Sequence, residues 1–191
     1  KSNIVGWWPS FPAEPINGVV VSDKFQKNLK ANLRNQDLPE GTVFPQKMAK
    51  ELKELRFFPD EITEAHILPF IPKAAQLDMK DEPTKKRLNA FAKVLAENTS
   101  VHAAATRLMR TTEWDFMAVY YDMIDHFCHG FMKFHPPKLP QVPQKLYEYY
   151  NQVIVSAYRF QDMMLERMMD LADKNTSIIV MSDHGYESST K

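Results

Sequence analysis

The sequence predicts an α/β fold: a mostly parallel sheet flanked by helices, with a helical insert. Three observations carry that prediction. Apolar runs of strand length stand at Val19–Val21, Asp115–Tyr121 and Thr176–Met181. One long amphipathic pattern, Gln144 to Asp173, lies between the last two. Strand, loop, helix, strand is the order of a βαβ unit, whose strands run parallel through a right-handed crossover with both sheet faces covered.

The elements follow in chain order. Ile4-Val5-Gly6-Trp7-Trp8 reads as a strand already under way, and a proline-rich turn runs from Pro9 to Pro15. Asn17-Gly18 signals a turn into the β-branched run Val19-Val20-Val21. From Lys24 to about Thr112 the pattern is mostly helix and loop, read as an insert or cap over a sheet. Met48, Leu52 and Leu55 recur at helical spacing. Pro59-Asp60-Glu61 is a helix start, with proline in the first turn and acids near the positive end of the dipole. Pro83 to Met109 again reads helical. Pro136 to Pro143 is a stiff loop. The stripe Leu146, Tyr150, Val153, Ala157, Phe160, Met164, Met168, Leu171 then marks one helix face at steps of three and four. Thr176–Met181 is expected to be a second buried strand. Met163, Met164, Met168 and Met169 are expected to pack in the core, and Trp7 and Trp8 between sheet and insert.

Composition limits the function. The 191 residues carry 24 Lys plus Arg and 24 Asp plus Glu, so the formal charge is zero. Without a basic excess, general nucleic-acid binding is disfavoured. The single cysteine, Cys128, excludes a disulfide framework and a Cys-rich zinc site. It reads as a small buried filler. No apolar run is long enough to span a membrane, and no targeting segment is legible, which leaves the compartment open. The chain opens inside a strand and closes on Ser188-Ser189-Thr190-Lys191 soon after another, so a segment of a longer protein is expected.

The chemistry collects where two of the expected strands end. The first runs into Asp122-Met123-Ile124-Asp125-His126-Phe127-Cys128-His129-Gly130, and the second into Ser182-Asp183-His184-Gly185. Parallel sheets bind ligands at the carboxyl ends of their strands, so the two clusters are expected to face one crevice. A single Asp-to-His spacing is weak evidence; two, one of them followed by glycine, are stronger. Carboxylate oxygen with imidazole nitrogen suits zinc or manganese. Asp125 and His129 are four apart, so one helical turn puts both on one side. Gly185 eases the turn that lets Asp183 and His184 converge. Asp122 is read as orienting a neighbour, His126 as a supporting or structural group, and His135 as a loop residue within reach of substrate. His66 and His102 read as structural. Ser10-Phe11-Pro12 matches a hydroxyl-x-Pro nucleophile pattern, but no helix start follows it.

These residues resemble the alkaline phosphatase superfamily, in particular its type I phosphodiesterase/nucleotide pyrophosphatase branch. The carriers are Asp125-x-x-x-His129 and Asp183-His184-Gly185. The opening Gly6-Trp7-Trp8-Pro9-Ser10-Phe11-Pro12-Ala13-Glu14-Pro15-Ile16-Asn17-Gly18 is similar to a segment of uncharacterised bacterial members. The likeness covers the first 25 residues and Trp114 to Gly185. It implies one partial domain of that fold over 1–191, with about 24–112 as the insert. It also implies two divalent metals about 4 Å apart, most readily Zn²⁺ with Mn²⁺ possible. Asp125 and His129 would bind one with a later histidine; Asp183 and His184 would bind the other with an earlier aspartate and a Thr or Ser nucleophile. That nucleophile would precede this segment and the last histidine would follow it, so the 191 residues alone are expected to be inactive. The implied reaction is hydrolysis of a small phosphate ester, a diester or nucleotide. Phosphomonoester hydrolysis, sulfate ester hydrolysis and phosphomutase action share these ligands and stay open, as does a non-catalytic α/β interaction module.

Overall fold

In the computed structural model, residues 1–27 and 29–186 are described; the polar close Ser188–Lys191 lies outside them. The described chain divides into two compact units, residues 1–61 with 95–121, and residues 62–94 with 122–186.

The first unit holds a four-stranded sheet: β1 (Ser2–Val5), β2 (Gly18–Val21), β3 (Val43–Phe44) and β4 (Phe116–Val119), in the order β3-β2-β1-β4. β1 pairs parallel with both β2 and β4, and only the short β3 runs antiparallel. The sheet is thus mixed and mostly parallel, and the α/β expectation holds. Asn3 and Val5 of β1 are fully buried. Val5 joins Val19 and Val21 in a core with Phe25, Leu52, Val101, Ala105 and Leu108. Gly18 enters β2 at φ +154, where a Cβ would lie 1.8 Å from the Ser2 carbonyl oxygen. Only glycine lets the two strands approach so closely.

The helices largely follow their sequence signals. The stretch from Gln46 is a 3₁₀ turn leading into α1 (Ala49–Lys53). Pro59–Glu61 is a 3₁₀ turn, followed by α2 (Glu64–Ile67). His66 closes a capping box with Thr63, a structural role. The longest helix, α3 (Glu82–Thr111), starts where the Asp81 carboxylate accepts the Thr84 amide at 2.9 Å. Further on come α4 (Met123–Phe131), α5 (Gln144–Tyr150) and α6 (Val153–Leu171). The expected helix over 144–173 is therefore broken at Asn151-Gln152. Tyr150, Val153, Ala157 and Met164 of its stripe are nonetheless buried.

The second unit is built on aromatic packing. Phe91 stacks on Phe127 at 4.7 Å between ring centroids, and Phe70 meets Phe91, Phe127 and Phe160 edge-on. α4 lies against α6 in this unit.

Three expectations are corrected. Thr176–Met181 is neither a strand nor buried: it has no regular secondary structure, and Ile179, Val180 and Met181 are about three-quarters exposed. β-branched composition favours a strand only where an edge accepts it, and this segment is not among the four strands. The parallel pairs of the sheet are β1–β2 and β1–β4 instead. Trp7 and Trp8 are exposed rather than packed away; the Trp7 ring lies tilted beside Tyr120, 6.0 Å between centroids. Of the four methionines on α6, Met164 is buried while Met163 and Met169 face solvent, because a helix cannot turn adjacent residues to one side.

Candidate metal centre

The site is built on α4, and its sequence decides which side chains face out. Met123, Phe127, Cys128 and Phe131 are buried and hold the helix to the aromatic core. Asp125 and His129 fall on the other side, one turn apart. Asp125 in the first turn and His129 in the last each suit the helix dipole. Their side chains approach to 3.5 Å, Asp125 Oδ1 to His129 Nε2. Asp122 stands at the N-cap position and reaches His126 Nε2 at 3.3 Å, a second pair about a quarter-turn around the helix.

The segment after residue 181 brings the second cluster to the first. His184 Nε2 lies 4.0 Å from the same Asp125 Oδ1 and 3.9 Å from Asp183 Oδ2. His184 Nδ1 is 2.8 Å from the Gly185 carbonyl oxygen. A carbonyl can only accept, so a ring proton sits on Nδ1, and Nε2 is the nitrogen that a neutral His184 leaves for a metal. Ser182 Oγ donates to the His184 carbonyl at 2.5 Å and tightens the turn. Tyr186, which the sequence reading did not single out, has its hydroxyl 3.0 Å from His129 Nδ1. Its only sequence signal is a hydroxyl-bearing ring directly after Gly185.

The electrostatics follow from these neighbours. The hydrogen bond to Gly185 raises the pKa of His184 above the ordinary imidazole value, and the charges of Asp183 and Asp125 add to it. Burial first, and then Asp125, pushes the Cys128 thiol up, so this cysteine is an inert filler. Asp125 Oδ1 is itself buried with no hydrogen-bond partner.

Do these residues fit a divalent ion? The donor chemistry does. Ligands about 2.1 Å from one tetrahedral ion stand roughly 3.4 Å apart. The Asp125–His129 spacing of 3.5 Å meets that, and the Asp125–His184 spacing of 4.0 Å is about half an ångström wide. Among the described residues no three Asp, Glu, His or Cys side chains are already gathered closely enough to hold an ion. Asp183 is 86% exposed at its side chain and, among the described residues, pairs with His184 at 3.9 Å. His135 follows the 3₁₀ turn Met132–Phe134, and its side chain makes no hydrogen bond or ion pair among the described residues. Ser10 and Asp23 exchange two hydrogen bonds of 3.1 Å, each amide donating to the other's side-chain oxygen, which binds the Ser10 hydroxyl into a loop. His102 bonds the Tyr121 hydroxyl through Nδ1 at 2.9 Å, a structural contact.

A family model described as type I phosphodiesterase / nucleotide pyrophosphatase matches residues 3–191. The class is therefore an α/β phosphoester hydrolase family. The chain belongs to the type I phosphodiesterase/nucleotide pyrophosphatase family, consistent with the alkaline phosphatase superfamily. Comparison with curated proteins and with solved structures gives no match. Among the described residues no helix is long and apolar enough to cross a membrane.

Proposed function

We propose that this chain carries metal ligands for the hydrolysis of a small phosphodiester or nucleotide: Asp125 and His129 for one divalent ion, Asp183 and His184 for the other. The observation that supports this best is Asp125 Oδ1, a buried carboxylate oxygen without a hydrogen bond, flanked by two imidazole nitrogens. A buried anionic oxygen is costly unless a cation or donor compensates it. Zn²⁺ or Mn²⁺, when bound, supplies Lewis acidity toward the attacking and leaving oxygens.

The chain's own residues supply the setting. The Gly185 carbonyl keeps the His184 proton on Nδ1 and leaves Nε2 available. α4 holds Asp125 and His129 in step because its buried face is anchored by Phe127 and Phe131. Asp122 holds His126 beside the ligand pair. A chain without net charge would meet the charge of a phosphate locally, through the ions these ligands would hold, rather than over its whole surface. Ser10, bound to the Asp23 amide, is not assigned to attack.

Calorimetry with Zn²⁺ and with Mn²⁺ tests the reading. The wild-type chain is expected to bind, and Asp125→Asn and His129→Ala each to weaken binding at least tenfold. In a protein that also carries the nucleophile, His129→Ala and Asp183→Ala should each lower diesterase activity by orders of magnitude. Equal metal affinity in wild type and both calorimetry variants would refute the ligand assignment.

A further inference from the structure

We infer that Tyr186 is a positioning residue for His129, holding the imidazole through Nδ1 so that Nε2 faces Asp125. The inference rests on the metal-ligand reading above and extends it to a residue outside the ligand set.

The geometry is specific to one ring nitrogen. The Tyr186 hydroxyl stands 3.0 Å from His129 Nδ1, and the two rings meet edge-on, 5.1 Å between centroids at 85°. The other nitrogen of His129, Nε2, lies 3.5 Å from Asp125 Oδ1. A neutral imidazole that gives Nε2 to a metal must carry its proton on Nδ1, and that proton needs an acceptor. A phenol oxygen can accept it. The Gly185 carbonyl does the same for His184. The two imidazoles beside Asp125 Oδ1 are thus held in the same way, each through Nδ1, by consecutive residues of one short segment. Tyr186 also ties α4 to the segment that carries Asp183 and His184, so it fixes the spacing between the clusters as well as the angle of one ring. With no metal bound, the Asp125 carboxylate opposite Nε2 favours a proton there, and the phenol then donates to Nδ1; a metal taking Nε2 would move the proton to Nδ1 and make the phenol oxygen its acceptor. Tyr186 meets Nδ1 in both states, so it orients the ring in either tautomer.

The test uses the full 191-residue chain labelled with ¹⁵N-histidine, free of metal, at about pH 8, where an ordinary imidazole is neutral. Long-range ¹H–¹⁵N correlations report which nitrogen of His129 carries the proton, with His129→Ala giving the assignment. Tyr186→Phe keeps the ring and removes the hydroxyl; its thermal melt should match wild type, since Tyr186 is partly exposed. We expect metal-free wild-type His129 to hold its proton on Nε2, toward Asp125, Tyr186→Phe to show a weaker tautomer preference, and its Zn²⁺ affinity to fall about tenfold or more. An unchanged His129 spectrum in Tyr186→Phe, with wild-type metal binding intact, overturns the role of Tyr186 and leaves the ligand reading standing. A shifted spectrum with unchanged affinity also overturns it. Failure of the wild-type chain to bind Zn²⁺ or Mn²⁺ overturns the ligand reading and this inference together.

Discussion

Asp125 shows how burial can fall on one atom of a partly exposed side chain. Its oxygen Oδ1 is buried on a helix face that is otherwise wet, so its charge is incompletely solvated. Tyr121, four residues earlier, shows the opposite case. Desolvation raises its phenol pKa above the usual value near 10, and its hydroxyl is bonded to His102. The folded state therefore keeps the Tyr121 proton where the unfolded chain would release it. That contribution is complete below about pH 10, the unfolded value, and is lost as pH rises beyond it. Denaturant titrations should show stability falling above pH 10, with a shallower fall in Tyr121→Phe. An identical slope in both proteins would mean that the phenol is as solvated folded as unfolded. Asp81 titrates in the other direction: bonds from the Thr84 hydroxyl and amide lower its pKa. Its capping contribution is present above the ordinary carboxylate range and is lost as pH falls through its lowered folded value.

At the scale of elements, α4 and the turn into β2 carry the architecture. Phe127 is buried between Phe70, Phe91 and Phe131. Phe127→Ala should cost about 3–5 kcal/mol by opening a cavity in that cluster. On the proposed ligand assignment it should also weaken metal binding, because the same helix aligns Asp125 and His129. A variant that loses stability but keeps full metal affinity would separate the two. Gly18→Ala puts a methyl 1.8 Å from the Ser2 carbonyl and should destabilise the first unit by about 3 kcal/mol or more. A wild-type melting curve for that variant would show that β1 and β2 can move apart freely.

For the molecule as a whole, the exposed stretch Ile178 to Met181 is the feature that ordinary composition conceals. Four consecutive apolar residues on the surface invite association. Ile179→Lys with Val180→Lys should raise solubility and leave stability within about 0.5 kcal/mol, as for surface positions. A loss of several kcal/mol would mean that these side chains are buried in the folded protein in solution. The same stretch shows where sequence reading stops. Thr, Ile and Val in that run specify a strand by local preference, yet pairing depends on which edge lies alongside, and sequence carries no record of that. β4 was legible as a strand, but its place at the sheet edge, with Phe116 exposed, was not.

The sequence by itself determined the α/β class, the helical spacing of Asp125 and His129, and the filler role of Cys128. These depend on local periodicity and on the chemistry of side chains near one another in the chain. The register of β1 against both β2 and β4 depended on tertiary structure, as did the exposure of residues 178–181 and the break at Asn151-Gln152. So did the meeting of His184 with Asp125, across 59 residues of sequence, and of Tyr186 with His129, across 57. Contacts over such separations arise only when the intervening chain folds back, and no motif in the sequence encodes their distances.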